Sequence, residues 1–131
     1  MASILLDTTV LIDLLRGKPA AAERLRGLQR GGDLVWTSVV NVEEIARGLR
    51  PGEEQPAQRL LSGLRLAPLD EAEGWRAGTW RRDFAARGIT LAQADCLVAA
   101  AALGVGGRLA TGNPRHFPMP ELAVEHWQPG G

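Results

Sequence analysis

Tyrosine is missing from this chain, phenylalanine occurs twice, and lysine and cysteine occur once each, as Lys18 and Cys96. A single cysteine excludes an intrachain disulfide and makes a reducing cytoplasm the expected compartment. Within ADCLVAAAALGV, Cys96 reads as a small buried hydrophobe rather than a nucleophile. The two histidines, His116 and His126, form no spacing such as HxxxH, which argues against zinc. Net charge is lacking too: 15 basic residues balance 15 acidic ones, so no overall field directs the chain to nucleic acid and any such contact must rest on a local patch. Long apolar runs are absent. The opening MASILLD has no basic segment ahead of an apolar core, and the longest apolar stretch, around residues 96–105, is too short to cross a bilayer. Neither a secretion signal nor a membrane span is expected.

What is present is an ordinary globular mix, 45% hydrophobic and 23% charged, which excludes disorder and fibrous repeats. The length fits one domain over residues 1–131. Turn signals at Gly17-Lys18-Pro19, Gly31-Gly32, Pro51-Gly52, Gly88 and Gly106-Gly107 divide the chain. Short aliphatic or β-branched runs at about 3–6, 34–37, 107–110 and 122–125 predict strands, and the longer segments between them carry helical spacing. In AAAERLRGLQR, Ala21, Leu25 and Leu28 share one side and Glu23, Arg26 and Arg30 the other, which predicts an amphipathic surface helix. A second helix is expected over 70–87 and a third over 90–104, the latter apolar on nearly every side and capped by Thr90. Strands alternating with helices predict an α/β fold, a three-layer sandwich with a mostly parallel central sheet flanked by helices.

Ligands of such sheets gather beyond the carboxyl ends of the strands. Asp7 stands there, directly after the first strand. Glu44 follows the second in TSVVNVEEIARG, Asp95 opens the apolar helix in TLAQADCLVAAAA, and Asn113 follows the RLA strand in LATGNPRHF. Four separated segments can bring oxygen ligands to one rim. Oxygen donors without a Cys or His cluster suit hard Mg²⁺ or Mn²⁺, and converging carboxylates need a cation to offset their repulsion. Taken singly, each has a plainer explanation: Asp7 a turn or helix cap, Glu44 a capping-box partner of Asn41, Asp95 an acid at a helix N-terminus. Helical geometry alone does not choose between Glu43 and Glu44. Asp13 is expected to face solvent or pair with Arg16.

The segments ILLDTTVLID, SVVNVEEIARG, LAQADCLVAAAA and LATGNPRHF resemble, in order and spacing, the motifs of PIN-domain ribonucleases, most closely the VapC-type toxins of toxin–antitoxin pairs. The resemblance extends over nearly the whole chain. It implies catalytic positions at Asp7, Glu44, Asp95 and Asn113, with Asp7, Asp95 and Glu44 as metal ligands and Thr9, Ser38 and Thr111 in support. It selects Glu44 over Glu43 through the run Ser38, Asn41, Glu44, Ile45, Gly48. Asn113 departs from the family's usual Asp, keeps one neutral oxygen and loses the charge, so one tightly held cation is expected, a second arriving with substrate.

The resemblance further implies metal-assisted hydrolysis of RNA, with Arg16 and Arg115 nearest the motifs as phosphate contacts and Arg81, Arg82 and Arg87 as a flank. A small cognate antitoxin is implied, inserting an Arg among the acids, as is a homodimer. Leu60, Leu61 and Leu64 are candidate docking residues with core packing as the alternative, and Trp75 and Trp80 are expected in the core or a dimer contact. Two other classes of protein place an Asp after the first strand. A haloacid-dehalogenase-like fold needs a second Asp where Thr9 stands, and a receiver needs a late Lys, whereas the only lysine is Lys18. A non-catalytic relative that binds RNA or an antitoxin is the remaining alternative.

Overall fold

A computed structural model describes residues 1–130. Its elements are β1 (Ser3–Leu6), α1 (Thr8–Leu15), α2 (Pro19–Arg30), β2 (Leu34–Thr37), α3 (Val39–Arg47), α4 (Glu54–Ser62), β3 (Arg65–Leu66), α5 (Glu71–Ala85), α6 (Gln93–Gly104), β4 (Arg108–Thr111) and β5 (Val124–His126), with a 3₁₀ turn at Pro114–His116. The five strands run in the order β3-β2-β1-β4-β5, and every pairing is parallel. The three-layer α/β expectation is met, and the sheet is wholly rather than mostly parallel.

The pleat of β1 shows how the layers form. Successive strand side chains point to opposite faces. Ile4 and Leu6 join Val10, Leu11, Val35, Ile45, Ala57, Ala110 and Trp127 on one side, while Leu5 joins Trp80, Phe84, Leu91, Cys96, Leu109 and the alanines of α6 on the other. Ile4, Leu5 and Leu6 are all fully buried. Burial on both faces is why SILL reads as a continuous apolar run rather than an alternating one.

Leu60, Leu61 and Leu64 pack half-buried against the first of these clusters, so core packing is their use. Trp80 is buried with Ala77 and Phe84 on the side of α5 that meets the core, and its Nε1 donates to Glu121 at 3.0 Å. Trp75, one turn away, is 69% exposed. The apolar helix begins later than its sequence suggests: Ala92 is the residue before α6, and Thr90 is exposed outside it. Leu91 explains the delay, because it turns into the core while its carbonyl accepts Arg81 Nε at 3.3 Å. Strand β3, which the sequence reading missed, is a two-residue exposed edge.

Beside β1 the chain reaches β2 on one flank and β4 on the other. Such a switch point opens a crevice at the strand's carboxyl end. Asp7 stands at that end.

Candidate active site at the carboxyl edge of the sheet

Asp7 is the first residue beyond β1 and the N-cap of α1, yet its carboxylate does not cap the helix. Its amide donates to the Ala110 carbonyl at 2.9 Å, which ties it to β4. The carboxylate is buried, accepting the Thr111 hydroxyl at 2.8 Å on Oδ2 and Asn41 Nδ2 at 3.4 Å on Oδ1. Thr111 thus spans from the end of β4 to the end of β1.

Asn41 is the hub on the other flank and is fully buried. Ser38, the N-cap of α3, donates its hydroxyl to Asn41 Oδ1 at 2.6 Å and accepts the Asn41 amide at 3.4 Å. Asn41 Nδ2 donates also to Thr8 Oγ1 at 3.0 Å, and the Thr8 hydroxyl donates to Glu44 Oε1 at 2.6 Å. A continuous relay therefore joins Ser38, Asn41, Thr8 and Glu44, with a branch to Asp7. Glu43 lies outside this relay: it is exposed and paired with Arg47 at 3.1 Å, so the structure brings Glu44 to the site and leaves Glu43 on the surface.

Asp95 approaches from the first turn of α6. Its Oδ2 lies 3.6 Å from His116 Nδ1. Burial, and then the charges of Asp7 and Glu44, push the Asp95 carboxyl above its ordinary range, with His116 opposing the shift. The Asp7 carboxyl is likewise pushed up by burial and, more weakly, by Glu44, while the Thr111 hydroxyl and the nearby Thr8 amide pull it down. The charge of Glu44 thus reaches both Asp7 and Asp95, and that of Asp7 reaches Asp95. Among the described residues, no three carboxylate, imidazole or thiol groups form a ready-made metal cage.

The remaining expected residues fall into two sets. Thr9 does not touch the acids; its Oγ1 accepts the Gly112 amide at 2.8 Å and thereby fixes the exit of β4. That approach requires glycine, since a Cβ at Gly112 would lie 2.6 Å from Pro129 Cγ and 3.2 Å from Thr9 Oγ1. Asn113 is exposed at the rim, its amide donating to Thr111 Oγ1 at 3.0 Å, and it lines a pocket with Arg115 and His116. Arg16 does not belong to the rim. It follows the far end of α1, about 12 Å of helix away, and pairs with Glu53 at 3.4 Å. Asp13 accepts the Gly130 amide at 2.9 Å instead of pairing with Arg16. The three flank arginines each have a local contact: Arg81 holds the Leu91 carbonyl, Arg82 lies near Asp83, and Arg87 covers the Phe84 ring.

Sequence reasoning gave no role to Thr8 or His116, and used Asn41 only as a motif position and a possible capping partner of Glu44. Asn41 carried a usable signal, an amide three residues after an N-cap serine and three before the glutamate. Thr8 and His116 carried none in the linear order.

Residues 4–121 match the PIN domain family. Ribonuclease VapC10 of Mycobacterium tuberculosis is 38% identical over an alignment covering 96% of this chain and 98% of that protein, and Ribonuclease VapC19 of the same species is 34% identical over 90% and 95%. Among solved structures, VapBC2 from Rickettsia felis bound to a promoter DNA fragment superposes with a TM-score of 0.83 at 21% identity, covering 95% of this chain and 98% of that one. FitAcB from Neisseria gonorrhoeae gives 0.72 at 28% identity, covering 92% and 95%. With its acids at the carboxyl edge of a five-stranded parallel sheet and these matches along nearly its full length, the chain belongs to the PIN-domain family, in its VapC branch.

Proposed function

We propose that this chain is a metal-dependent endoribonuclease toxin, neutralised by a cognate antitoxin. The observation that carries the reading is the hydrogen-bonded relay that sets Asp7 and Glu44 together beyond β1, with Asp95 near enough for the charges of both to raise its carboxyl on top of burial. The relatives named above are ribonucleases by name, and solved neighbours include a toxin–antitoxin complex from Klebsiella pneumoniae.

The donor set fits a hard cation. It offers carboxylate oxygens with no thiol, and Mg²⁺ needs only one or two carboxylates with water completing its shell. Asp7 and Asp95 would hold Mg²⁺ or Mn²⁺, and Glu44 would act on it through water. When bound, such a cation lowers the pKa of water and offsets charge developing on the phosphoryl oxygens. The chain's own task is to fix the acids: Thr111 and Asn41 hold the Asp7 carboxylate from two sides, and Thr8 holds Glu44. Asn113 adds a neutral amide at the rim. No side chain of the set has to act as a nucleophile. An antitoxin with a cationic side chain would meet the same carboxylates and cover them.

A homodimer is part of the reading and rests on α5. Glu71, Gly74, Trp75, Gly78, Thr79 and Arg82 line a shallow groove along its outer face. A methyl group on Gly74 or Gly78 would meet nothing within the chain, although each glycine costs a helix about 1 kcal/mol relative to alanine. An antiparallel two-fold pairing sets Trp75 against Gly78 of the second copy, Gly74 against Thr79, and Glu71 against Arg82. Large meets small and acid meets base at every step, as an isologous interface requires.

The test is cleavage of single-stranded RNA by purified protein in Mn²⁺. Cleavage lost on chelation and in Asp7→Asn is the expected result; RNA left intact by the wild-type protein, or cut equally by the variant, refutes the assignment and favours the non-catalytic alternative.

A further inference from the structure

We infer that the pocket lined by Gly112, Asn113, Pro114, Arg115, His116 and His126 is a phosphate subsite, which grips an RNA phosphate neighbouring the one at the carboxylates. The inference rests on the nuclease reading and adds where the strand is held. The pocket encloses about 330 Å³, at the lower end of the range that takes organic ligands, about 300–1,000 Å³.

Its chemistry is one-sided. Both histidines of the chain converge on it with a guanidinium and an amide, and no carboxylate lines it. Imidazole donates one N–H even when neutral, and a guanidinium offers a fork that matches phosphate oxygens. Arg115 is exposed and makes no ion pair, hydrogen bond or ring contact among the described residues, whereas Arg47 and Arg108 each pair with a glutamate and Arg26 and Arg30 share Glu23. Its charge is therefore unspent beside an acidic site.

Position supports the assignment as much as composition does. His126 is in register with Thr111, the residue that bonds Asp7. At a strand spacing of about 4.8 Å, the pocket lies one to two strands along the rim from the carboxylates. His116 belongs to both places, lying 3.6 Å from Asp95 while lining the pocket. The 3₁₀ turn that carries Arg115 and His116 is anchored by Phe117, which is buried, and by the bond from the Asn113 amide to Thr111. A strand whose scissile phosphate sits at the acids thus finds donors for the next phosphate on a rigid support. The three acids repel RNA, and this pocket supplies an attraction independent of the metal.

The test measures binding of a fluorescein-labelled single-stranded RNA by anisotropy, using Asp7→Asn protein in Mg²⁺ so that nothing is cut, across a salt series. Each single-strand phosphate contact contributes about 0.7 to the slope of log affinity against log salt. In that background Arg115→Ala is expected to weaken binding about tenfold and to reduce the slope by about 0.7. Arg115→Lys should restore the slope, His126→Ala should weaken binding further, and Arg16→Ala should change neither quantity. Affinity and slope unchanged by Arg115→Ala and His126→Ala, in a protein whose wild type cleaves RNA, overturns the subsite alone. A wild type that neither binds nor cleaves RNA overturns the subsite and the nuclease reading together.

Discussion

The Thr111 hydroxyl donates to Asp7 Oδ2 at 2.8 Å, joining residues 104 positions apart in the chain across the β1–β4 ladder. Thr111 Oγ1 in turn accepts the Asn113 amide at 3.0 Å, so one hydroxyl fixes both the first acid and the loop that leaves β4.

Replacing this threonine with valine keeps the shape and removes the donor. The bond favours the ionised form of Asp7, so its loss moves an already raised carboxyl further up. Thr111→Val should therefore shift the acidic limb of the cleavage pH–rate profile to higher pH. A destabilisation of about 1–2 kcal/mol should accompany it, because the Asn113 amide loses its acceptor. A profile that stays in place while stability falls would make Thr111 a structural residue only.

Asp7 itself sets a conflict between site and fold. A carboxyl raised by burial binds its proton more tightly in the folded state than in the unfolded one. The stability this gives is fully present below the ordinary value of 3.8 and is lost as pH rises through the raised folded value. At neutral pH without divalent ions the ionised acid is thus a burden. Asp7→Asn should raise Tm in EDTA at pH 7 by a few degrees, on the order of 1 kcal/mol. The replacement amide can still accept from Asn41 and donate to Thr111. Mg²⁺ should raise the wild-type Tm at pH 7 and leave the variant unmoved. A variant that melts below the wild type in EDTA would show that burial of this charge is not what the fold resists.

The layers of this fold were legible because their cause is local. SILL, LVWT and LVAAAAL are apolar in the pattern that double-sided burial requires, and Asp7 follows the first of them at the carboxyl edge of the sheet. The position of Asp95 in the first turn of α6 was legible for the same reason, whereas Glu44 lies one turn inside α3 and was picked out by its motif alone. What escaped was set by tertiary partners. Thr8 rather than Thr9 joins the acid relay, because the first turn of α1 presents Thr8 to α3 and Thr9 to Gly112. Arg16 adjoins a motif in sequence but lies a helix length from the rim, since α1 carries it away. β3 is too short to announce itself, and the delayed start of α6 depends on Leu91 finding the core.

Asn41 and the two adjacent glutamates separate the relay from its surroundings. Asn41→Ala removes a fully buried amide and strands the Ser38 and Thr8 groups it serves, for a cost of about 3 kcal/mol in chemical denaturation. Glu44→Gln should weaken Mn²⁺ binding, followed by calorimetry, with little change in stability. Glu43→Gln should leave Mn²⁺ binding unchanged, its partner being the surface Arg47. Equal effects of the two glutamine variants on Mn²⁺ would contradict the assignment of Glu44 to the rim.

The α5 face offers a test of assembly that does not involve the acids. Trp75 contributes little to the isolated chain, being 69% exposed, so Trp75→Glu should leave the monomer folded and its melting curve nearly unchanged. If two copies pair through this helix, the same substitution places a carboxylate against Gly78 of the second copy and should convert a dimer to a monomer in light scattering. The charge pairs allow a stricter check. Glu71→Arg alone sets like charges together at both ends of the symmetric pair and should weaken it, and so should Arg82→Glu alone. The double substitution Glu71→Arg with Arg82→Glu restores opposite signs at each end and should recover the dimer. Recovery requires the two residues to face each other between copies, since within one helix they stand eleven positions apart and do not meet. A dimer that survives Trp75→Glu, or a wild type that remains monomeric at high concentration, removes α5 as the interface.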